Sequence, residues 1–267
     1  MALRSRLRVV GSICVAIVAL TVNSYAQKVS ADWKQIGEAG EWSQTVAMTG
    51  MNGDIWSIEA DGTLFQTDKS GHYEQIGPKG FFKHASTLEG LDGLLYTIEG
   101  GTLFRTDPAN LNWQQVGKKG DWADAAAVVG MNGYLWSIER NGTLFKTAKS
   151  GAYEQIGPNG AFKNATLLAG MNGMLWTVEG GSLYATDPAK GTWRRVGTSG
   201  DWENTIGLAA TNGVLWSIEH DGTLYKTDEK GASVQVGKKG EYAGTTMLLA
   251  LDGSLYTVED GTLYRTH

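Results

Sequence analysis

Residues 33–77 read WKQIGEAGEWSQTVAMTGMNGDIWSIEADGTLFQTDKSGHYEQIG, and the closing YEQIG starts the opening WKQIG pattern again forty residues on. Laid on itself at this period, the chain repeats six times, with starts at 33, 73, 113, 153, 193 and 233. One aromatic column is Trp33, Tyr73, Trp113, Tyr153 and Trp193, broken by Ser233. A second is Trp42, Phe82, Trp122, Phe162, Trp202 and Tyr242. A third is Trp56, Tyr96, Trp136, Trp176, Trp216 and Tyr256, and a fourth Phe65, Phe104, Phe145, Tyr184, Tyr225 and Tyr264. All 10 Trp fall in these columns, so the aromatic content is a lattice and not a diffuse composition.

A longer period of eighty residues lies over the shorter one. Odd repeats carry E-x-[DN]-G-T-L, as at Glu59–Leu64, and even repeats the one-residue-shorter E-x-G-[TS]-L, as at Glu99–Leu103. Each unit predicts four short strands, placed in the first at Trp33–Gly37, Gln44–Thr49, Ile55–Glu59 and Thr63–Thr67. The separators are hairpin dipeptides, Asn52-Gly53 and Asp61-Gly62, whose Gly supplies a positive φ. No helical period runs through 27–267. Four antiparallel strands per forty residues is the size of a propeller blade, and six blades lie in the range that closes a ring. The expected fold is therefore an all-β, six-bladed β-propeller. A blade such as 44–77 then leaves the last blade short of its outermost strand, which residues 33–37 are placed to supply. That exchange closes the ring and covers an exposed edge.

The 267 residues hold 37 Gly, about twice the usual share, without the triplet period of collagen. The two turn dipeptides of each repeat account for much of this excess. A formal charge of −5 argues against a nucleic-acid partner, which calls for a basic patch. Residues 1–26 read as a signal peptide. Arg4, Arg6 and Arg8 precede an apolar run from Val9 to Val22, with Ser24 and Ala26 as the small residues of a cleavage site. The run is shorter than the roughly 20 residues that span a bilayer, so no membrane span is expected once it is removed. Loss of 1–26 takes the single Cys, Cys14, and leaves 27–267 as one disulfide-free propeller of net charge −8. A secreted, periplasmic or cell-surface location follows.

The pattern W-x-x-[IV]-G-x-x-G-x-[WFY], followed by N-G-x-[LI]-[WY]-[ST]-[IV]-E and G-T-L-[FY]-[KR]-T, resembles the repeats of tachylectin-2-type propeller lectins. More loosely, it is similar to tectonin-type repeats. The resemblance covers 33–267 and departs from tachylectin-2 in blade number, five there against six here. It implies binding of glycans, N-acetylated amino sugars among them, in pockets between neighbouring blades.

On the residues themselves, the turn that enters each innermost strand pairs an aromatic ring with polar groups. In odd repeats an acid precedes Trp, at Glu41-Trp42, Asp121-Trp122 and Asp201-Trp202, and a polar column follows at Gln44, Asp124 and Asn204. Even repeats offer Phe82 with His84, Phe162 with Asn164, and Tyr242. A sugar needs an aromatic face for its C–H surface and fixed polar groups for its hydroxyls, and these clusters hold both. Three stronger sites in odd repeats and three weaker ones in even repeats are expected. The 42 column could equally pack between blades, and the acids could cap their own turns. The 33, 56 and 65 columns are expected to pack, and the repeated Glu59 column to hold its hairpin.

No cofactor or metal is expected: the Asp-Gly pairs form no spaced oxygen array, and the four His share no column. An axial catalytic site would break the repeat with unique polar residues. His84 and Glu89 are such breaks, without a nucleophile–base–orienter set, so an enzyme is not expected. The alternative to a lectin is a non-enzymatic propeller scaffold that binds a protein through its top face.

Overall fold

Once in every forty-residue repeat the chain reverses through an Asn-Gly or Asp-Gly pair in which both residues have positive φ, from Asn52 (55°) and Gly53 (88°) in the first to Asp252 (49°) and Gly253 (82°) in the last. Positive φ at both central positions is type I′ geometry, whose twist matches that of the strands it joins. The computed structural model describes residues 33–266, so the signal-peptide reading of 1–26 lies outside the described residues.

After β1 (Trp33–Ile36), the chain builds six four-stranded antiparallel sheets in sequence order. Blade 1 is β2 (Thr45–Met51), β3 (Asp54–Glu59), β4 (Leu64–Thr67) and β5 (Tyr73–Ile76). Blade 2 is β6 (Ala85–Leu91), β7 (Leu94–Glu99), β8 (Thr102–Asp107) and β9 (Asn112–Val116). Blade 3 is β10 (Ala125–Met131), β11 (Tyr134–Glu139), β12 (Leu144–Ala148) and β13 (Tyr153–Ile156). Blade 4 is β14 (Ala165–Met171), β15 (Met174–Glu179), β16 (Ser182–Asp187) and β17 (Thr192–Val196). Blade 5 is β18 (Thr205–Thr211), β19 (Val214–Glu219), β20 (Leu224–Asp228) and β21 (Ser233–Val236). Blade 6 is β22 (Thr245–Leu251), β23 (Ser254–Glu259) and β24 (Thr262–Thr266), completed by β1.

This is the predicted six-bladed β-propeller. The N-terminal strand closes it: β1 pairs antiparallel with β24 from Trp33 opposite Thr266 to Ile36 opposite Leu263. Each innermost strand contacts the next, and β22 contacts β2 to complete the circle. The inner and second strands extend beyond the predicted limits because their ladder runs right up to the tight turn, with Met51 opposite Asp54.

Near the axis the strands crowd. A Cβ added to Gly50 would lie 2.9 Å from Leu251 Cδ1, and one on Gly90 would lie 2.8 Å from Met51 Cβ. Only a residue without a side chain lets neighbouring strands approach this closely. The third aromatic column forms the core between blades, from Trp56 at 4 % exposure to Tyr256 at 0 %.

The eighty-residue period reappears as ties between blades. Asp252 of blade 6 pairs with Lys69 of blade 1 at 2.8 Å, and Asp92 of blade 2 with Lys149 of blade 3 at 2.7 Å. Arg105 donates to the Lys149 carbonyl, and Arg194 of blade 4 to the Glu229 carbonyl of blade 5. Each even blade thus grips the odd blade after it. The ion pairs are exposed and each stabilises by about 1 kcal/mol at most.

Candidate functional site

Each loop entering a blade lays its aromatic residue on the preceding blade. The Trp42 amide donates to the Gly261 carbonyl, Phe82 to Gly62, Trp122 to Gly101, Phe162 to Gly142, Trp202 to Gly181 and Tyr242 to Gly222. All six rings are buried, at 8 % exposure or less. Phe82 belongs to the same core cluster as Ile58 and Leu64 of blade 1, and Trp42 to that of Val258 and Leu263 of blade 6. Burial also pushes the Tyr242 phenol up to about 12. These rings therefore pack, and each can offer a ligand only the part that still lines a cavity.

The acids beside them close their own turns. Glu41 accepts from the Glu38 amide at 2.6 Å, Asp121 from Lys118 at 3.0 Å and Asp201 from Thr198 at 3.2 Å. In the polar column Gln44, His84, Asp124 and Asn164 are exposed and Asn204 is half-buried. Asp124 is held in an ion pair with Arg140 at 3.0 Å.

Cavities form where these loops face the flat side of the blade they enter. In blade 1, Glu41, Trp42 and Gln44 meet Glu59, Asp61, Phe65, Tyr73, Gln75 and Lys79 around about 370 Å³. In blade 4, Phe162 meets Pro158, Glu179, Tyr184 and Trp193 around about 320 Å³. In blade 3, Asp121 and Trp122 meet Glu139, Phe145 and Tyr153 around a smaller space of about 110 Å³. A more open recess of about 450 Å³ brings Asn164 and Trp202 together with Lys163, Thr166, Glu203 and Thr205. His84, Asp124, Asp201 and Asn204 line none of these four spaces.

Two columns expected to be structural line these cavities. Three members of the first aromatic column do not pack as expected: Tyr73 is 50 % exposed, Tyr153 61 % and Trp193 69 %, each as the outer wall of its cavity. These residues sit on the outermost strands, where neighbouring blades diverge and nothing covers them. The Glu59 column holds its hairpin region, since Glu59 accepts from Thr45 at 3.0 Å and Glu219 from Thr205 at 3.2 Å. It also forms the cavity floors, through Glu59, Glu139 and Glu179. Burial pushes Glu59, Glu99 and Glu179 above the usual carboxylate range, against the hydroxyls that bond them. It takes Glu219 and Glu259 to about 7. Strand alternation was the available signal: Glu59, Phe65, Tyr73 and Gln75 project from one face of blade 1.

The six positions are not equivalent. In blade 2, Trp113 stacks flat on Phe104 at 3.9 Å and 11°, with Phe81 6.3 Å from Trp113. In blade 6, Trp33 sits 5.2 Å from Tyr242 and 4.5 Å from Tyr264. Blade 5 has Ser233 where the others have an outer aromatic, and its hydroxyl pairs with Thr227 at 2.8 Å. Of the three aromatic-walled cavities, the two roomier ones fall in one odd and one even blade, which departs from the expected odd–even alternation. Among the described residues, no group of three or more His, Cys, Asp or Glu is arranged to hold a metal ion.

The chain matches no protein-family model, and no curated protein resembles it closely enough in sequence to count as a relative. Its likenesses are to solved structures. Regucalcin from Agrobacterium tumefaciens, a calcium-binding protein, superposes with a TM-score of 0.64 at 14 % identity, over 90 % of this chain and 95 % of that one. Virginiamycin B lyase from Staphylococcus aureus gives 0.59 at 13 %, over 86 % and 82 %. YCF48 bound to D1 peptide gives 0.55 at 13 %, over 94 % and 97 %. At such identities the likeness shows the fold alone. The chain is a propeller; its activity is a matter for its own residues.

Proposed function

We propose that this chain is an exported, non-enzymatic glycan-binding propeller with its sites between blades. The observation that carries the reading is the recurrence, in blades 1, 3 and 4, of a cavity walled by aromatic rings and floored by a half-buried carboxylate. Aromatic faces take up the C–H surface of a sugar ring, and a carboxylate with one hydroxyl partner retains acceptor capacity for sugar hydroxyls. Export is supported by the basic start, apolar run and small-residue site of residues 1–26. A non-enzymatic role is supported by the repetition of the same carboxylate in every blade, since acid–base work needs two groups in contrasting environments.

A glycan array probed with the full chain and with Tyr73→Ala and Trp193→Ala tests this. Both side chains stand at the surface, so their loss should leave folding intact and weaken glycan capture. Trp42→Ala, Trp122→Ala and Trp202→Ala are expected to lower stability first, by about 3–5 kcal/mol for a buried Trp. An array without signal from a folded chain overturns the reading. It would favour a protein-binding scaffold instead, for which the exposed outer aromatics would be anchors; one structural neighbour is a propeller bound to a peptide.

A further inference from the structure

The cavities of blades 1 and 4 share three aromatic walls. The entering loop gives Trp42 or Phe162, the third strand Phe65 or Tyr184, and the outermost strand Tyr73 or Trp193. The last two rings meet edge to face in both, at 5.7 Å and 81° in blade 1 and at 5.6 Å and 73° in blade 4, so they make an open corner. The floor is Glu59 or Glu179, each bonded by one threonine hydroxyl, from Thr45 and Thr177 respectively. A carboxylate accepts about four hydrogen bonds, so each floor keeps acceptor capacity for an occupant.

The net charge of the groups lining these boxes is negative. In blade 1, Glu41, Glu59 and Asp61 face a single cation, Lys79, which is already paired with Asp61 at 2.8 Å. In blade 4, Glu179 has no Lys, Arg or His among the residues that line the cavity. Ring faces and carboxylates attract the same kind of group. A cation over an aromatic face is held by the ring quadrupole, and an ammonium N–H to a carboxylate is a charge-assisted hydrogen bond. A neutral sugar, acetylated amino sugars included, has no cation for the rings and brings only a neutral hydroxyl or amide donor to the carboxylate.

We propose that the boxes of blades 1 and 4 take a protonated amine, and specifically a hexosamine whose nitrogen carries no acetyl group. Its ammonium sits on Glu59 or Glu179, and its C–H face lies in the aromatic corner. This rests on the glycan reading and changes the sugar class that the repeat resemblance implies. Two sites per chain follow from size and occupancy. The boxes of about 370 and 320 Å³ lie in the range of small-ligand pockets, roughly 300–1,000 Å³, and that of blade 3, at about 110 Å³, does not. Trp113 on Phe104 and Trp33 on Tyr264 fill the corner in blades 2 and 6, and Ser233 removes a wall in blade 5.

Calorimetric titration of the full chain with glucosamine, N-acetylglucosamine and choline at neutral pH and low salt tests the assignment. Glucosamine should bind at about two sites and at least about tenfold more tightly than the acetylated sugar, a difference of about 1.4 kcal/mol. Glu59→Gln and Tyr73→Ala should each leave one site. Tyr73 is half exposed on an outermost strand, so this variant keeps the test open if Glu59→Gln proves unstable. N-acetylglucosamine binding as tightly as glucosamine overturns the amine assignment and leaves the glycan reading standing. Choline binding as tightly as glucosamine, with no glycan captured on the array, overturns both the hexosamine and the glycan reading. Absence of any binding by the folded chain overturns the hexosamine assignment, and the array then decides the glycan reading.

Discussion

Gly62 stands where the β3–β4 hairpin of blade 1 meets the loop entering blade 2. Its φ is +86°, and a Cβ there would lie 2.3 Å from the Lys83 nitrogen. Gly40 has a similar φ of +83° with nothing within 4 Å of an added Cβ. The pair separates backbone strain from steric overlap. Gly40→Ala should cost about 1–2 kcal/mol, the penalty for a side chain in the left-handed region. Gly62→Ala should cost clearly more, because the Phe82 amide that bonds the Gly62 carbonyl would have to move away. Urea unfolding of both variants checks the order. A second residue-scale expectation concerns Glu219 and Glu259, which burial raises from 4.5 to about 7. Between those values the folded chain holds protons that the unfolded chain has released, so stability falls as pH rises through that window. Discounted for the solvent that still reaches them, a loss of about 1 kcal/mol for each of the two carboxylates corresponds to a melting temperature roughly 4–8 °C lower at pH 8 than at pH 5. Glu219→Gln and Glu259→Gln should flatten that slope and raise the melting temperature at pH 8. A slope unchanged in the double variant would refute the assignment.

At the scale of the strand, β1 covers the edge of β24 and brings in Ile36, which is 2 % exposed in the core beside Leu263. Ile36→Ala should therefore cost about 2–5 kcal/mol, and Lys34→Ala, exposed on the same strand, almost nothing. Removal of residues 27–40 should lower the melting temperature further and speed hydrogen exchange of the β24 amides. Unchanged exchange would mean that β24 does not depend on this strand. The closure was legible in the sequence because it rests on counting: a forty-residue period that begins with an outermost strand leaves one blade a strand short. The turns were legible because Asn-Gly and Asp-Gly carry their backbone geometry with them. The cavities were only half legible. A repeat says which residues are equivalent, but it carries no measure of their distance from the axis. Trp56 and Trp193 look alike as column members, yet one sits where blades converge and is 4 % exposed, and the other where they diverge and is 69 % exposed. For the same reason Glu59 reads as a hairpin residue, although its neighbours across the sheet make it the floor of a cavity.

Across the whole ring, the order of blades sets the direction in which any ligand is presented. Six blades follow one another in sequence and β22 contacts β2, so blades 1 and 4 lie on opposite sides of the axis. Under the hexosamine assignment a single chain therefore carries two sites across the axis from each other, and the ties from each even blade to the next odd one hold that arrangement in a closed ring. Two sites on one chain suffice to bridge two particles. The monomeric chain should then agglutinate beads coated with glucosamine without forming an oligomer. Tyr73→Ala, with one site left, should bind the beads and fail to cross-link them. Turbidity and bead-bound protein, measured in the same tube, separate the two effects. Cross-linking retained by Tyr73→Ala would show that the bridging sites lie elsewhere on the ring, or that the chain itself associates.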